Sequence, residues 1–162
     1  MIDRANEGYT TASGEDLRLA LARYVDLCGN LERARVKELR ELCSPDVHFR
    51  DPFNDVRGVE LFEKCMDKMF EDVGEPRFDV HDHVFSQQRN EVAYLRWTFH
   101  CRLPVRGPLQ VEGMTEVHFD HKALVSAHLD HWDSGRQLYE KLPGIGFLLR
   151  RVRRKLAIPE AR

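Results

Sequence analysis

The chain has 162 residues, 42% hydrophobic and 32% charged, enough apolar material for the core of one domain. A formal net charge of −2 excludes a protein built throughout to bind nucleic acid. No apolar run approaches the ~20 residues of a membrane span, and the polar start Met1-Ile2-Asp3-Arg4-Ala5-Asn6-Glu7 lacks the apolar stretch of a signal peptide, so a cytoplasmic protein is expected.

Residues 1–12 are polar and are expected to be a flexible N-terminus. Ser13 with Asp16 forms the spacing of a capping box, which satisfies the free amides at a helix start. Leu17, Ala20, Leu21, Tyr24, Val25 and Cys28 then recur at helical spacing until Gly29-Asn30. A second helix is expected from Leu31 to Cys43, burying Leu31, Ala34, Leu39, Leu42 and Cys43, and stopped by Ser44-Pro45. A short strand follows at 47–51, then a loop to Gly58. A third helix buries Val59, Phe62, Met66, Met69 and Val73. From Gly74 onward the period changes to two. Phe78, Val80, Asp82 and Val84 alternate with polar residues, and Val92–Leu103, Gln110–Phe119 and Leu124–Trp132 read as further strands. Asp120-His121-Lys122-Ala123 has the composition of a hairpin turn. Helices gathered ahead of antiparallel strands imply an α+β domain over residues 13–142, with the helices on one face of a curved sheet and a pocket between them.

Asp51, followed by Pro52 at a strand end, is the first candidate for chemistry. A carboxylate there can project into a cavity as a base, because proline fixes the chain direction beside it. The same residue can instead close a turn by accepting backbone amides. His128, Asp130 and Trp132 share one strand face, opposite Ala127, Leu129 and His131. They offer a proton relay or a polar patch. Gly113, Thr115, Val117 and Phe119 face the pocket and core, leaving Glu112, Glu116 and His118 outside. Trp97 and Phe99 stand in the middle of the long strand. His81 with His83, and His118 with His121, form pairs without an assignable third ligand, so neither a metal nor a cofactor is expected. Cys28, Cys43, Cys65 and Cys101 lack CxxC or zinc-like spacing and read as reduced thiols, the first three on apolar helix faces.

This element order, with Ala22-Arg23-Tyr24 in the first helix, Phe49-Arg50-Asp51-Pro52-Phe53 after it and His131-Trp132 late, resembles the nuclear transport factor 2-like (NTF2-like) superfamily. Within it the chain is similar to ketosteroid isomerases and SnoaL-like polyketide cyclases, over roughly residues 15–140. The resemblance implies a cone-shaped α+β fold with an apolar pocket for a small organic ligand. It assigns the oxygen-binding hydroxyl to Tyr24, the proton-moving carboxylate to Asp51 and an aromatic wall to Trp132. The pattern departs at Thr115, where the isomerases carry a protonated aspartic acid. Asp130, on the strand face of Trp132, is the residue expected to compensate. His128, Trp97, Phe99 and Phe119 complete the expected ligand-binding set. The resemblance also implies a homodimer through the outer sheet face.

Residues 143–162 form a separate unit. Leu148, Leu149, Val152 and Leu156 are interrupted by Arg150, Arg151, Arg153, Arg154 and Lys155, the pattern of a basic amphipathic helix. The segment 147–162 carries +5 and the remainder −7. The expectation is a helix that lays its apolar stripe on its own domain and solvates its arginines, with Pro143-Gly144-Ile145-Gly146 as a hinge. The pattern also permits docking on an anionic membrane or an acidic partner. Three function classes stay open: an isomerase or cyclase moving protons on an apolar carbonyl compound, a ligand carrier without turnover, and an interaction protein.

Overall fold

The computed structural model describes residues 12–104 and 106–158, so the expected flexible N-terminus lies, apart from Ala12, outside the described residues. The first helix, α1 (Gly14–Gly29), opens with the capping box read from the sequence. Asp16 N–H donates to Ser13 Oγ at 3.2 Å, and Ser13 N–H donates to Asp16 Oδ2 at 2.8 Å. The Ser13 hydroxyl, which donates to Asp16 Oδ2 at 2.7 Å, and then the Ser13 amide hold the Asp16 carboxyl below its usual range.

The second helix differs from its expected form. Arg33–Glu38 is a 3-10 run, followed by a single α-turn, α2 (Leu39–Leu42). The residues it buries are Val36, Leu39 and Leu42, a spacing of three that suits three residues per turn, while Ala34 is exposed. Cys43 is not helical. It begins strand β1 (Cys43–Arg50), which takes in Ser44 and Pro45. A short strand, β2 (Asp55–Arg57), lies where a loop was expected, and α3 (Val59–Asp72) follows.

Four long strands complete the sheet: β3 (Gly74–Phe85), β4 (Val92–Leu103), β5 (Gly107–Phe119) and β6 (Val125–His131). The order across the sheet is β2-β1-β6-β5-β4-β3. Every pairing is antiparallel except β1 with β6, so the sheet is mixed. Consecutive strands β3 to β6 pair with their sequence neighbours, as hairpin-sized connections require. In the β5–β6 hairpin, Asp120 Oδ1 accepts from the amides of Lys122 and Leu124 at 2.8 and 2.9 Å, and Ala123 adopts the left-handed φ of 59° that closes the turn.

The regular alternation expected along β3 is interrupted. The register shifts between Val80, opposite Trp97, and Asp82, opposite Arg96. This bulge moves the next residues to the other face. Val84 is 59% exposed as a result, while Phe85 turns inward to pack on Phe119 at 6.2 Å.

Helices α1 and α3 pack on the same face of the sheet, against β3 and against β1 and β3 respectively. Tyr24, Leu27, Phe49, Phe62, Leu95 and Val117 are fully buried between the layers. Ion pairs tie the helical segments together. Arg40 donates from Nε and Nη2 to the two oxygens of Glu63 at 2.7 Å each, and Arg35 bridges Glu38 and Asp26.

After β6, α4 (Ser134–Gln137) and a single 3-10 turn lead to α5 (Ile145–Leu156). Its expected packing is corrected by the structure. The stripe does not cover the domain: Leu148 is 59% exposed, Val152 49% and Leu156 83%. The helix is held from its polar side, where Arg153 donates to both oxygens of Glu140 at 2.6 and 3.1 Å and Arg150 donates to the Glu140 carbonyl.

Candidate functional site

Helical spacing puts Tyr24, Leu27 and Cys28 on the inward side of α1, and Phe62 with Met66 on the inward side of α3. The pleat brings Phe78 and Val80 from β3, and Leu95 and Trp97 from β4, to face them. These residues wall a cavity of about 50 Å³ between helices and sheet, whose lining is almost entirely apolar. Leu31 and Leu39 complete its helical side. Apart from Asp130 on β6, the half-buried lining residues are Cys28, Leu31, Met66, Phe78 and Val80, most of them where α1, α3 and β3 meet.

One wall is polar and continuous. Trp97 Nε1–H donates to Thr115 Oγ1 at 2.8 Å, and Thr115 O–H donates to Asp130 Oδ1 at 2.5 Å. His128 Nε2 lies 3.0 Å from the same Oδ1, and Tyr24 Oη lies 2.7 Å from His128 Nδ1. The sheet register builds this chain, since Thr115 and Asp130 are directly opposed across β5 and β6. Trp97 reaches Thr115 from one strand further, because it lies over its opposed residue Gly113.

The donor directions follow from the carboxylate. An ionised Asp130 can only accept, so Nε2 of His128 carries the proton and Nδ1 accepts from the Tyr24 hydroxyl. A doubly protonated ring reverses the last bond: Nδ1–H then donates to Tyr24 Oη and leaves the phenol proton for another acceptor. The imidazole is fixed by the rings of Phe49 and Phe62, at 5.3 and 5.2 Å. Burial pushes the Tyr24 hydroxyl well above the usual phenol range, and the nearby thiols Cys28 and Cys43 and the Asp130 carboxylate add to the shift. Tyr24 is therefore a neutral hydroxyl. Burial likewise pushes the Cys28 thiol up to about 12, with a further contribution from Asp130. Cys28 is an inert wall. All four cysteines are free thiols, and Cys43 reaches the core from a strand rather than a helix.

Among the residues singled out in the sequence, Tyr24, Trp97, Thr115, His128 and Asp130 meet at this wall. Four others are placed elsewhere. Asp51 does not line the cavity. Its Oδ1 accepts from the amides of Phe53 and Asn54 at 2.8 and 2.6 Å and from the Asn54 side chain at 3.1 Å, which closes the turn into β2. Trp132 packs against Phe53 at 5.8 Å, beyond the end of β6. Phe99 stacks behind Phe78 at 4.5 Å, and Phe119 packs against Phe85. Of the histidine pairs, His81 binds Thr98 at 2.7 Å and His118 binds Glu116 at 2.5 Å. Among the described residues, no group of three or more His, Cys, Asp or Glu side chains converges as a metal site would need. The apolar half of the chamber was not singled out as a site. Cys28, Leu31, Leu39, Phe62, Met66, Phe78 and Val80 carry only the signal of an inward face, which core residues share.

Comparison with known proteins places this arrangement in a family. In solved structures, the chain is similar to an NTF2-like protein of unknown function from Exiguobacterium sp. 255-15, with a TM-score of 0.61 and 15% identity over 70% of this chain and 98% of that one. It is similar to a steroid delta-isomerase from Pseudomonas aeruginosa, with a TM-score of 0.55 and 20% identity over 88% and 96% of the two chains. It is also similar to an LEH-like epoxide hydrolase from M. tuberculosis, with a TM-score of 0.60 and 13% identity over 89% and 95%. At these identities the likeness is one of fold. No curated protein matches the chain in sequence. Residues 21–127, which include Tyr24, Trp97 and Thr115 and end just before His128, match the SnoaL-like domain. The chain belongs to the SnoaL-like domain family of the NTF2-like superfamily.

Proposed function

We propose that the protein moves a proton on a small apolar carbonyl compound held in the chamber, with Asp130 as the base. The observation that carries this reading is the Thr115–Asp130–His128–Tyr24 chain on one wall of an otherwise apolar cavity. Thr115 and His128 both bind Oδ1 of Asp130, and among the described residues no hydrogen bond engages Oδ2. That oxygen takes a proton from the carbon beside the carbonyl. In a substrate with a double bond between the next two carbons, the same carboxyl returns the proton to the far carbon of that bond, the double bond moves into conjugation with the carbonyl, and the net reaction is an isomerisation. Negative charge grows on the carbonyl oxygen in between, and with His128 doubly protonated, so that its Nδ1–H donates to Tyr24 Oη, the Tyr24 hydroxyl is the donor for it. Asp51 is occupied by its turn and serves structure in this scheme. The likeness to a steroid delta-isomerase supports the reading at the level of fold.

The chamber sets the ligand's size. Its volume of about 50 Å³ is well below the ~150 Å³ of a cavity that takes benzene. A ligand of a few heavy atoms fits directly, and a ring enters only if side chains such as Met66 and Leu31 move.

Exchange of α-hydrogens of small ketones into deuterated water tests the chemistry. Wild type is expected to catalyse exchange, Asp130→Asn to lose it by at least about 10²-fold, and Asp51→Asn to retain it within a few-fold. Loss in Asp51→Asn with retention in Asp130→Asn would return the base to Asp51. The small closed volume also favours a second reading, a carrier for a small ligand without turnover. In that case small ketones raise the melting temperature of wild type and both variants alike, and no exchange is catalysed.

A further inference from the structure

We propose that α5 docks the protein on an anionic lipid surface. Ile145, Leu148, Leu149, Val152 and Leu156 stand at i, i+3, i+4, i+7 and i+11, so they form one stripe along the helix. The four of these that face solvent most are at least 49% exposed, and Phe147 and Ile158 add 61% and 90%. A stripe of this kind in water calls for a covering surface.

The charges identify the cover. The helix contains five cations and no acid. Glu140 engages Arg150 and Arg153, and it does so from the side that fixes the helix to the domain. Arg151, Arg154 and Lys155 have no acidic partner among the described residues and stand beside the stripe or on the face behind it. An apolar stripe sunk among acyl chains with cations at headgroup level is how an interfacial helix binds. The remainder of the chain carries −7, so an anionic surface repels the domain and attracts this helix alone, and the protein approaches helix first.

A second copy is a poorer cover. A helix of 12 residues is about 18 Å long and roughly 10 Å across. Such a strip falls well short of the ~800 Å² that each partner buries in a stable interface. Gly144 has a φ of 76°, which only glycine adopts freely, and it sets the angle at which the helix leaves the domain.

Co-sedimentation of the full chain with vesicles tests the proposal. Wild type is expected to bind vesicles of phosphatidylcholine containing one-third phosphatidylserine, to ignore phosphatidylcholine alone, and to be released by salt. The triple variant Arg151→Glu, Arg154→Glu, Lys155→Glu is expected to lower the partition coefficient by about 100-fold or more. Leu148→Ser with Val152→Ser should abolish binding with the melting temperature unchanged, because neither side chain packs in the core. Absence of binding at low salt overturns the proposal. So does equal binding to both vesicle types. A concentration-dependent dimer that Leu148→Ser with Val152→Ser dissociates would also overturn it, by assigning the stripe to a second copy.

Discussion

A Cβ built on Gly113 would collide with the six-membered ring of Trp97, which lies flat over that residue from the neighbouring strand. The glycine therefore sets where the indole sits, and so where its N–H meets Thr115. Gly113→Ala is expected to push the ring off β5, break the Trp97–Thr115 bond and cost about 1–3 kcal/mol, as overpacking in a filled core does. Urea unfolding measures the loss, and a shift in tryptophan fluorescence of the folded state reports the displaced ring. An unchanged spectrum and stability would mean that Trp97 does not rest there. At this scale the sequence is informative where a periodic rule applies. Alternation puts His128 and Asp130 on one face and Thr115 inward, and helical spacing puts Tyr24 inward. It says nothing of which oxygen a hydroxyl reaches, and it leaves Asp51 at a strand end open to two readings, a base or the acceptor of a turn. The turn is bound through the backbone amides of Phe53 and Asn54, which any residue supplies, and only the added bonds from the Asn54 side chain depend on a residue type.

The elements were legible wherever one period ran undisturbed, as in α1, α3, β4 and β5. Two of the misreadings fall where the period changes within a few residues. Between Leu31 and Cys43, an α-helical reading selects Leu31, Ala34, Leu39, Leu42 and Cys43, whereas the chain forms a 3-10 run that buries Val36 and exposes Ala34, followed by one α-turn that buries Leu39 and Leu42 as expected. A six-residue run is long for a 3-10 helix, and tertiary contacts must support it. The bidentate Arg40–Glu63 pair is one such contact, because it joins the end of this segment to α3 and leaves Glu63 only 8% exposed. Arg40→Ala strands that carboxylate with its hydrogen bonds unmet. It is expected to lower the urea midpoint clearly more than Arg33→Ala, which breaks an exposed pair with Glu71. Equal midpoints for the two variants would show that the Arg40–Glu63 pair does not anchor the segment. The other misreading is the β3 bulge, where one extra residue after Val80 exchanges the inward roles of Val84 and Phe85. No residue type announces it. Val84 and Phe85 are both apolar, and the choice between them is made by the register with β4.

The whole molecule responds to alkali through its packed interior. Tyr24 and Cys28 on α1, and Cys43 at the start of β1, all meet the same dry layer between helices and sheet. Burial is the first cause of the raised pKa of each. A group whose pKa is higher in the folded state than in the unfolded one keeps its proton when folded and releases it on unfolding. Its contribution to stability is complete below the unfolded pKa and is lost as pH climbs toward the folded value. For Cys28 that window runs from 9.0 to about 12. Stability is expected to fall across it. Each retained proton accounts for about 1.4 kcal/mol per pH unit. Urea unfolding of wild type and Cys28→Ala, both under reducing conditions, separates this thiol from Tyr24 and Cys43, which act in the same direction. The substitution should flatten the slope by up to one proton, whatever it does to stability at neutral pH. Parallel slopes would mean that Cys28 ionises in the folded state. The chamber wall beside it would then be wet, and a carboxylate at Asp130 would be better solvated and a weaker base than the proposed chemistry requires.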